Sequence, residues 1–79
     1  MPKVEVELRG PLARYALVSS VGLITLHIQE GTTLGDVFKQ LSIPENHLGL
    51  VLVNGRKASL EKKLHEGDRV SVYPLVAGG

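Results

Sequence analysis

The first legible pattern is an alternation. Val4, Val6 and Leu8 fall on one phase and Lys3, Glu5, Glu7 and Arg9 on the other. A period of two marks a strand buried on one face, so a strand is expected over Lys3 to Arg9. Gly10-Pro11 ends it, because proline has no N–H for a ladder and glycine loosens the turn. Leu12 to Val21 carries no clear period; a short helical turn around Leu12 to Ala16 is its one local reading. Ile24, Leu26 and Ile28 then alternate with Thr25, His27 and Gln29. This β-branched-rich stretch predicts a second strand, antiparallel to the first and reached by more than a tight hairpin. Glu30-Gly31 closes it.

The period then changes. Thr33-Leu34-Gly35-Asp36 has the form of a capping box, and Leu34, Val37, Phe38 and Leu41 follow at i, i+3, i+4 and i+7. One amphipathic helix is expected here, stopping near Ser42 because Pro44 biases Ile43 away from helical φ/ψ. Leu48 to Val53 is almost wholly apolar, which predicts a central strand covered on both faces or nearly so. Asn54-Gly55 is the strongest turn signal, suited to a type I′ turn, and Arg56-Lys57-Ala58 starts a short return strand. Leu60 and Leu64 are apolar anchors in a polar stretch, and Glu66-Gly67-Asp68 is another turn. Arg69 to Tyr73 alternates again, with Val70 and Val72 on one phase, and Pro74 is expected to stop the ladder.

The order strand, strand, helix, strand, short strand, strand suits a sheet with one helix on its apolar face. The fold class is α+β, and the last strand is expected beside the first as a parallel pair. The architecture is a β-grasp, or ubiquitin-like, fold with a mixed sheet of four to five strands and one main helix packed on one face. Residues 1–75 form the domain and residues 76–79 a flexible Gly-Gly tail.

Composition narrows the function. The chain has 79 residues, room for one domain, and no cysteine, which excludes disulfides and thiolate metal sites. Nine basic and eight acidic side chains leave a formal charge of +1, with no basic run interleaved with aromatics. That argues against a nucleic-acid partner. No apolar run approaches a membrane span, and the alternating, charged start is not a signal peptide, so no membrane partner and a cytoplasmic location are expected. His27, His47 and His65 match no ligand spacing. Lys62-Lys63 reads as a solvated loop, and Ser19-Ser20 lacks the strand–turn–helix setting of a nucleophile. No enzyme constellation is found.

The remaining candidate is the end of the chain, Tyr73-Pro74-Leu75-Val76-Ala77-Gly78-Gly79. Two glycines give no side-chain bulk and wide backbone freedom, which suits threading into a narrow channel. Small residues are also common in frayed ends, so the sequence leading to the glycines decides between the two readings. Read as a free terminus, Gly79 offers one reactive group, its carboxylate.

Leu50-Val51-Leu52-Val53-Asn54-Gly55, then Gly67-Asp68-Arg69-Val70-Ser71-Val72-Tyr73-Pro74, ending Gly78-Gly79, resembles the MoaD/ThiS sulfur carriers. Leu8 to Ala13 resembles the first loop of MoaD-like proteins, and Glu30 to Val37 the family's helix entry. Two departures stand out. Val6 and Leu8 occupy first-strand positions where MoaD proteins often carry aromatics, and ThiS proteins are usually shorter, without the long stretch from Gly10 to Leu23. The segment ending Val72-Tyr73-Pro74 also resembles ubiquitin-like domains fused to proteins assigned as ribonucleases, which lack the Gly-Gly end.

The sulfur-carrier resemblance implies that a MoeB/ThiF-type, E1-like enzyme adenylates Gly79 with ATP and Mg²⁺, and that the acyl-adenylate becomes a thiocarboxylate. The sulfur then passes to a cofactor precursor on a MoaE-type synthase subunit, or on thiazole synthase in a thiamine pathway. On this reading the chain binds no cofactor or metal and is not itself an enzyme. Gly78, Ala77 and Val76 thread, and Leu75 adds apolar contact at the mouth.

For docking, the outward strand phases Thr25, His27, Arg69, Ser71 and Tyr73 share the face away from the helix. Either Leu50 and Leu52 or Val51 and Val53 must join them. Beside Tyr73 and Arg69, such an apolar pair makes either a docking patch or ordinary surface. The competing functional classes are a ubiquitin-like protein modifier and a non-reacting interaction module.

Overall fold

The computed structural model describes residues 2–10 and 22–75. The helical turn expected around Leu12 to Ala16 and the tail 76–79 lie outside the described residues. Strands β1 (Lys3–Leu8), β2 (Leu23–His27), β3 (Leu48–Val53), β4 (Arg56–Lys57) and β5 (Arg69–Pro74) form one sheet, with helix α1 (Leu34–Gln40) between β2 and β3. Spatial order is β2-β1-β5-β3-β4. β1 is antiparallel to β2 and parallel to β5, and β3 is antiparallel to both β5 and β4. This is the expected order of elements, with one addition, a 3₁₀ turn at Glu45–His47.

Val4, Val6 and Leu8 of β1, Val70 and Val72 of β5, and Val51 and Val53 of β3 join Leu34, Val37 and Phe38 of α1 in one buried cluster. Each strand contributes one phase, as period two requires. Ile24 of β2 joins them, and Ile28, Ile43 and Leu64 complete the cluster from the loops, so Leu64 is the anchor its apolar character suggested.

α1 starts as expected. The Thr33 hydroxyl accepts from the Asp36 N–H at 3.2 Å, and the Thr33 N–H donates to the Asp36 carboxylate at 3.1 Å. The preceding two helical N–H groups, which no helical turn can satisfy, are taken by the loop that carries Leu64. Leu34 N–H donates to Lys62 C=O at 3.0 Å and Gly35 N–H to Leu60 C=O at 2.9 Å.

The helix stops near Ser42, as expected, but the device that ends it is not the proline. Ser42 takes a left-handed φ of 60°, Ser42 N–H donates to Lys39 C=O and Ile43 N–H to Phe38 C=O. This is a Schellman ending with serine where glycine is usual, and it closes the helix two residues before Pro44 acts.

Asn54 and Gly55 both have positive φ, 53° and 82°, which fits the type I′ expectation for the β3–β4 hairpin. Asn54 also ties the turn to β5. Its Nδ2 donates to Asp68 at 2.9 Å, and its Oδ1 accepts from Arg69 N–H at 3.0 Å.

Two strand expectations are corrected. β3 is not covered on both faces: Val51 and Val53 are buried, whereas Leu50 is 38% exposed. One seven-residue helix covers only one face of the sheet, so the apolar run on β3 exceeds what burial requires. Pro74 does not stop the ladder. It lies inside β5 opposite Leu48, and the Leu75 N–H still donates to His47 C=O at 3.1 Å. The reason lies in the alternation of a strand's two edges. Arg9 N–H donates to Val72 C=O, so Val72 and Pro74 both turn their backbone polar groups toward β1, whose strand ends at Leu8. The missing proline donor falls where no β1 residue needs it.

Candidate functional site

The site is built where β5 ends. Tyr73 lies opposite Leu50 on the open face, and Leu75, two residues on, is 61% exposed. Register decides the alternative left open by pattern. Leu50 pairs with Tyr73 and Leu52 with Ser71, so Leu50 and Leu52 face outward and Val51 and Val53 inward.

The open face has rows set by the same registers. Leu23, Glu7, Ser71, Leu52 and Lys57 form one row, and Thr25, Glu5 and Arg69 another. Glu5 and Glu7 are each partnered: Arg69 reaches Glu5 at 3.5 Å and Arg9 reaches Glu7 at 2.7 Å. The Arg9 guanidinium also lies over the Tyr73 ring, 5.4 Å from its centroid.

Of the residues expected to dock, Tyr73 and Leu75 therefore come together with Leu50 at the exit. Arg69 sits four positions back, roughly 13 Å along the strand, in a charged row of its own. Val76, Ala77, Gly78 and Gly79 lie outside the described residues.

Sequence reasoning missed three contributors to the exit. Arg9 holds the Tyr73 ring, His47 supplies the carbonyl that binds Leu75, and Gly49 sits at a register slip between Leu48 and Leu50. The slip places Leu48 on the core side opposite Pro74 and Leu50 on the open side opposite Tyr73. A signal for Gly49 was available, since a lone glycine inside an apolar strand run marks a bulge or a close backbone approach. The two contacts made by Arg9 and His47 depend on tertiary geometry and had no local signal.

Beside Gly49 a groove of about 360 Å³ runs between β3 and the loop that follows β4, lined by Leu48, Leu50, Val51 and Leu60 together with Glu45 and Lys57. It extends the apolar surface of Leu50 around the edge of β3. Among the described residues, no group of three His, Cys, Asp or Glu could hold a metal ion, and no helix is long and apolar enough to cross a membrane.

A mixed five-strand sheet clasping one helix defines a ubiquitin-like β-grasp protein. The Mut7-C ubiquitin family profile matches residues 1–78, and the chain belongs to that family. Comparison with curated proteins finds no match. Among solved structures it is similar to the Haloferax volcanii HVO 2177 protein, with 26% identity over 99% of this chain and 87% of that one and a TM-score of 0.78. It is also similar to H. volcanii small archaeal modifier protein 1, with 21% identity over 96% and 100% of the two chains and a TM-score of 0.73. A third likeness is to a chain in the complex of subunits 1 and 2 of the molybdopterin-converting factor from Helicobacter pylori. There the identity is 22% over 98% and 99% of the chains, with a TM-score of 0.63. At these identities the last two likenesses bear on the fold.

Proposed function

We propose that the chain is a ubiquitin-like sulfur carrier whose working group is the Gly79 carboxylate, serving molybdopterin or tungstopterin cofactor synthesis. A carboxylate resists displacement because its leaving group would be oxide. Activation therefore comes from an E1-like adenylating partner. A Gly79 carboxylate oxygen attacks the α-phosphorus of ATP, with Mg²⁺ on the phosphates, and pyrophosphate leaves. Hydrosulfide delivered by a sulfur donor then attacks the acyl carbon and AMP leaves, giving the thiocarboxylate. A synthase subunit of MoaE type carries the precursor whose carbon the thiocarboxylate sulfur attacks, and water then cleaves the acyl–sulfur bond, leaving the sulfur on the precursor and restoring the carboxylate. The chain acts as a group carrier, while its partners supply orientation and electrostatics.

The observation that carries the reading is the end of β5. The backbone is tied as far as Leu75, where exposed Leu50 and Leu75 lie beside a half-buried Tyr73, and the sequence beyond is Val76-Ala77-Gly78-Gly79. Four extended residues span roughly 13 Å, enough to enter a buried site while the body stays outside. The pairing of two subunits in the H. pylori converting factor supports a synthase-type partner.

Membership of the Mut7-C ubiquitin family favours a second reading, a non-reacting interaction module. Intact-mass measurement separates them. The protein is incubated with an adenylating enzyme of MoeB/ThiF type, ATP, Mg²⁺ and a sulfur donor. One oxygen-to-sulfur exchange, abolished by deleting Gly79, supports the carrier. Lysine conjugates support a modifier, and an unchanged mass supports the interaction module.

A further inference from the structure

At the register slip, Gly49 lies against the backbone of the departing strand. A β-carbon built there would stand 2.5 Å from the Pro74 carbonyl oxygen, 2.9 Å from its carbon and 3.1 Å from Leu75 Cα. All three are backbone atoms, which cannot swing aside as a flexible side chain does. Gly49 is not among the glycines with positive φ, so space and not conformation demands glycine here. Gly55 is the contrast, with φ of 82° and open space around its missing side chain.

The close approach has a further effect. It lets the 3₁₀ turn sit where His47 C=O accepts the Leu75 N–H at 3.1 Å, the last backbone bond found on β5. On the other flank the Pro74 ring packs beside Gly10, its Cγ 3.6 Å from where a β-carbon would stand, an ordinary contact distance. Pro74 and Leu75 are thus gripped between two glycines and one carbonyl.

We propose that Gly49 is a positioning residue for the C-terminal chemistry: by admitting the Pro74–Leu75 backbone, it sets the point and direction from which residues 76–79 leave the sheet. The proposal rests on the carrier reading for its consequence, since a partner that docks on the open face must receive Gly79 from a fixed origin. Any side chain at position 49 pushes the exit away from β3 by on the order of 1 Å, judged by ordinary carbon contacts near 3.5 Å. A misplacement of that size costs up to about 100-fold in a reaction governed by orientation.

The test compares wild type, Gly49→Ala, Gly55→Ala and Leu75→Pro. Leu75→Pro removes the donor to His47 and sets a ring carbon against that carbonyl, so it breaks the same grip from the departing strand if Gly49→Ala fails to fold. Hydrogen exchange at Leu75 is read first, with Val51 and Val72 amides as the measure of an intact sheet. Gly49→Ala is expected to speed Leu75 exchange while Val51 and Val72 stay protected, whereas Gly55→Ala, strained by its positive φ at the β3–β4 turn, is expected to shift the three amides together through overall stability and not to single out Leu75. Sulfur loading by the adenylating enzyme is read next. Gly49→Ala is expected to lower kcat by about tenfold or more with KM for the carrier little changed, and Leu75→Pro to lower kcat alike while also raising KM, because Leu75 belongs to the docking surface. A simple loss of folded protein would raise apparent KM and spare kcat.

Unchanged Leu75 exchange in Gly49→Ala, or unchanged kcat in both variants, overturns the proposal. If wild type accepts no sulfur at all, the carrier reading fails, and Leu75 exchange alone decides whether Gly49 sets the exit.

Discussion

Arg9 covers the ring of Tyr73, its guanidinium carbon 5.4 Å from the ring centroid, while the same guanidinium holds Glu7 at 2.7 Å. The pair joins the end of β1 to the end of β5, beside the point where the chain leaves the sheet. With the Arg9 side chain about half exposed, the cation–ring contact is worth about 0.5–1 kcal/mol, so its main effect is to fix the orientation of Tyr73. Tyr73→Ala is expected to weaken binding of the adenylating enzyme or synthase subunit by about tenfold, the usual scale for a buried aromatic anchor. Arg9→Ala should cost only a few-fold, and Arg69→Glu should chiefly slow association, as rim charges do. Calorimetric or surface-binding titration checks all three; an unchanged Kd in Tyr73→Ala removes this face from the docking model.

Phe38 is the largest fully enclosed side chain near the middle of α1, at 2% exposure. Phe38→Ala is expected to destabilise the fold by about 3–5 kcal/mol, from lost transfer energy plus the cavity left behind. Urea unfolding measures it, and a small effect would mean that the helix does not pack as described.

The capping box makes stability pH-dependent in a defined direction. The Thr33 N–H and then the Thr33 hydroxyl contact hold the Asp36 carboxyl below its ordinary pKa. A carboxyl whose folded pKa is lower than its unfolded one adds stability above the unfolded value and loses it as pH falls through the folded value. Asp36→Ala should therefore melt below wild type at neutral pH, and the two Tm values should converge in acid. Thr33→Ala, which also removes the N-cap acceptor, should cost about 1 kcal/mol. Thermal melts of both variants across the acid range check this.

Ser42 offers a gain. Its left-handed backbone, φ 60°, costs a residue with a β-carbon roughly 1–2 kcal/mol, and glycine avoids it. Glycine's looser unfolded chain returns about 0.4–1 kcal/mol of that. Ser42→Gly is thus expected to stabilise by about 0.5–1 kcal/mol, read by the denaturant midpoint at constant slope.

Much of the architecture is legible before folding because it is written in short periods. The alternation of Val4, Val6 and Leu8, the i, i+3, i+4 stripe of Leu34, Val37 and Phe38, and the Asn54-Gly55 turn each depend only on neighbours in sequence. Their order then leaves few ways to cover one sheet face with one helix. The misreadings share an opposite character. The apolar run Leu48 to Val53 promised two covered faces, but the helix covers one, and no local feature reports how many layers a sheet will have. Pro74 promised a stop, but whether a missing N–H matters depends on which neighbour lies on that edge. The helix does stop near Ser42 as read, but through bonds back to Phe38 and Lys39 and not through Pro44, in a conformation that serine does not advertise.

By itself, the sequence determined the strands, the helix with its cap, the hairpin turn and the Gly78-Gly79 ending, because propensity and periodicity act within a few residues. Tertiary structure alone decided that Leu50, not Val51, faces outward, that Arg9 meets Tyr73, and that Gly49 gives way to Pro74. Each of these joins segments dozens of residues apart, and only the packed register of β1, β3 and β5 sets their distance.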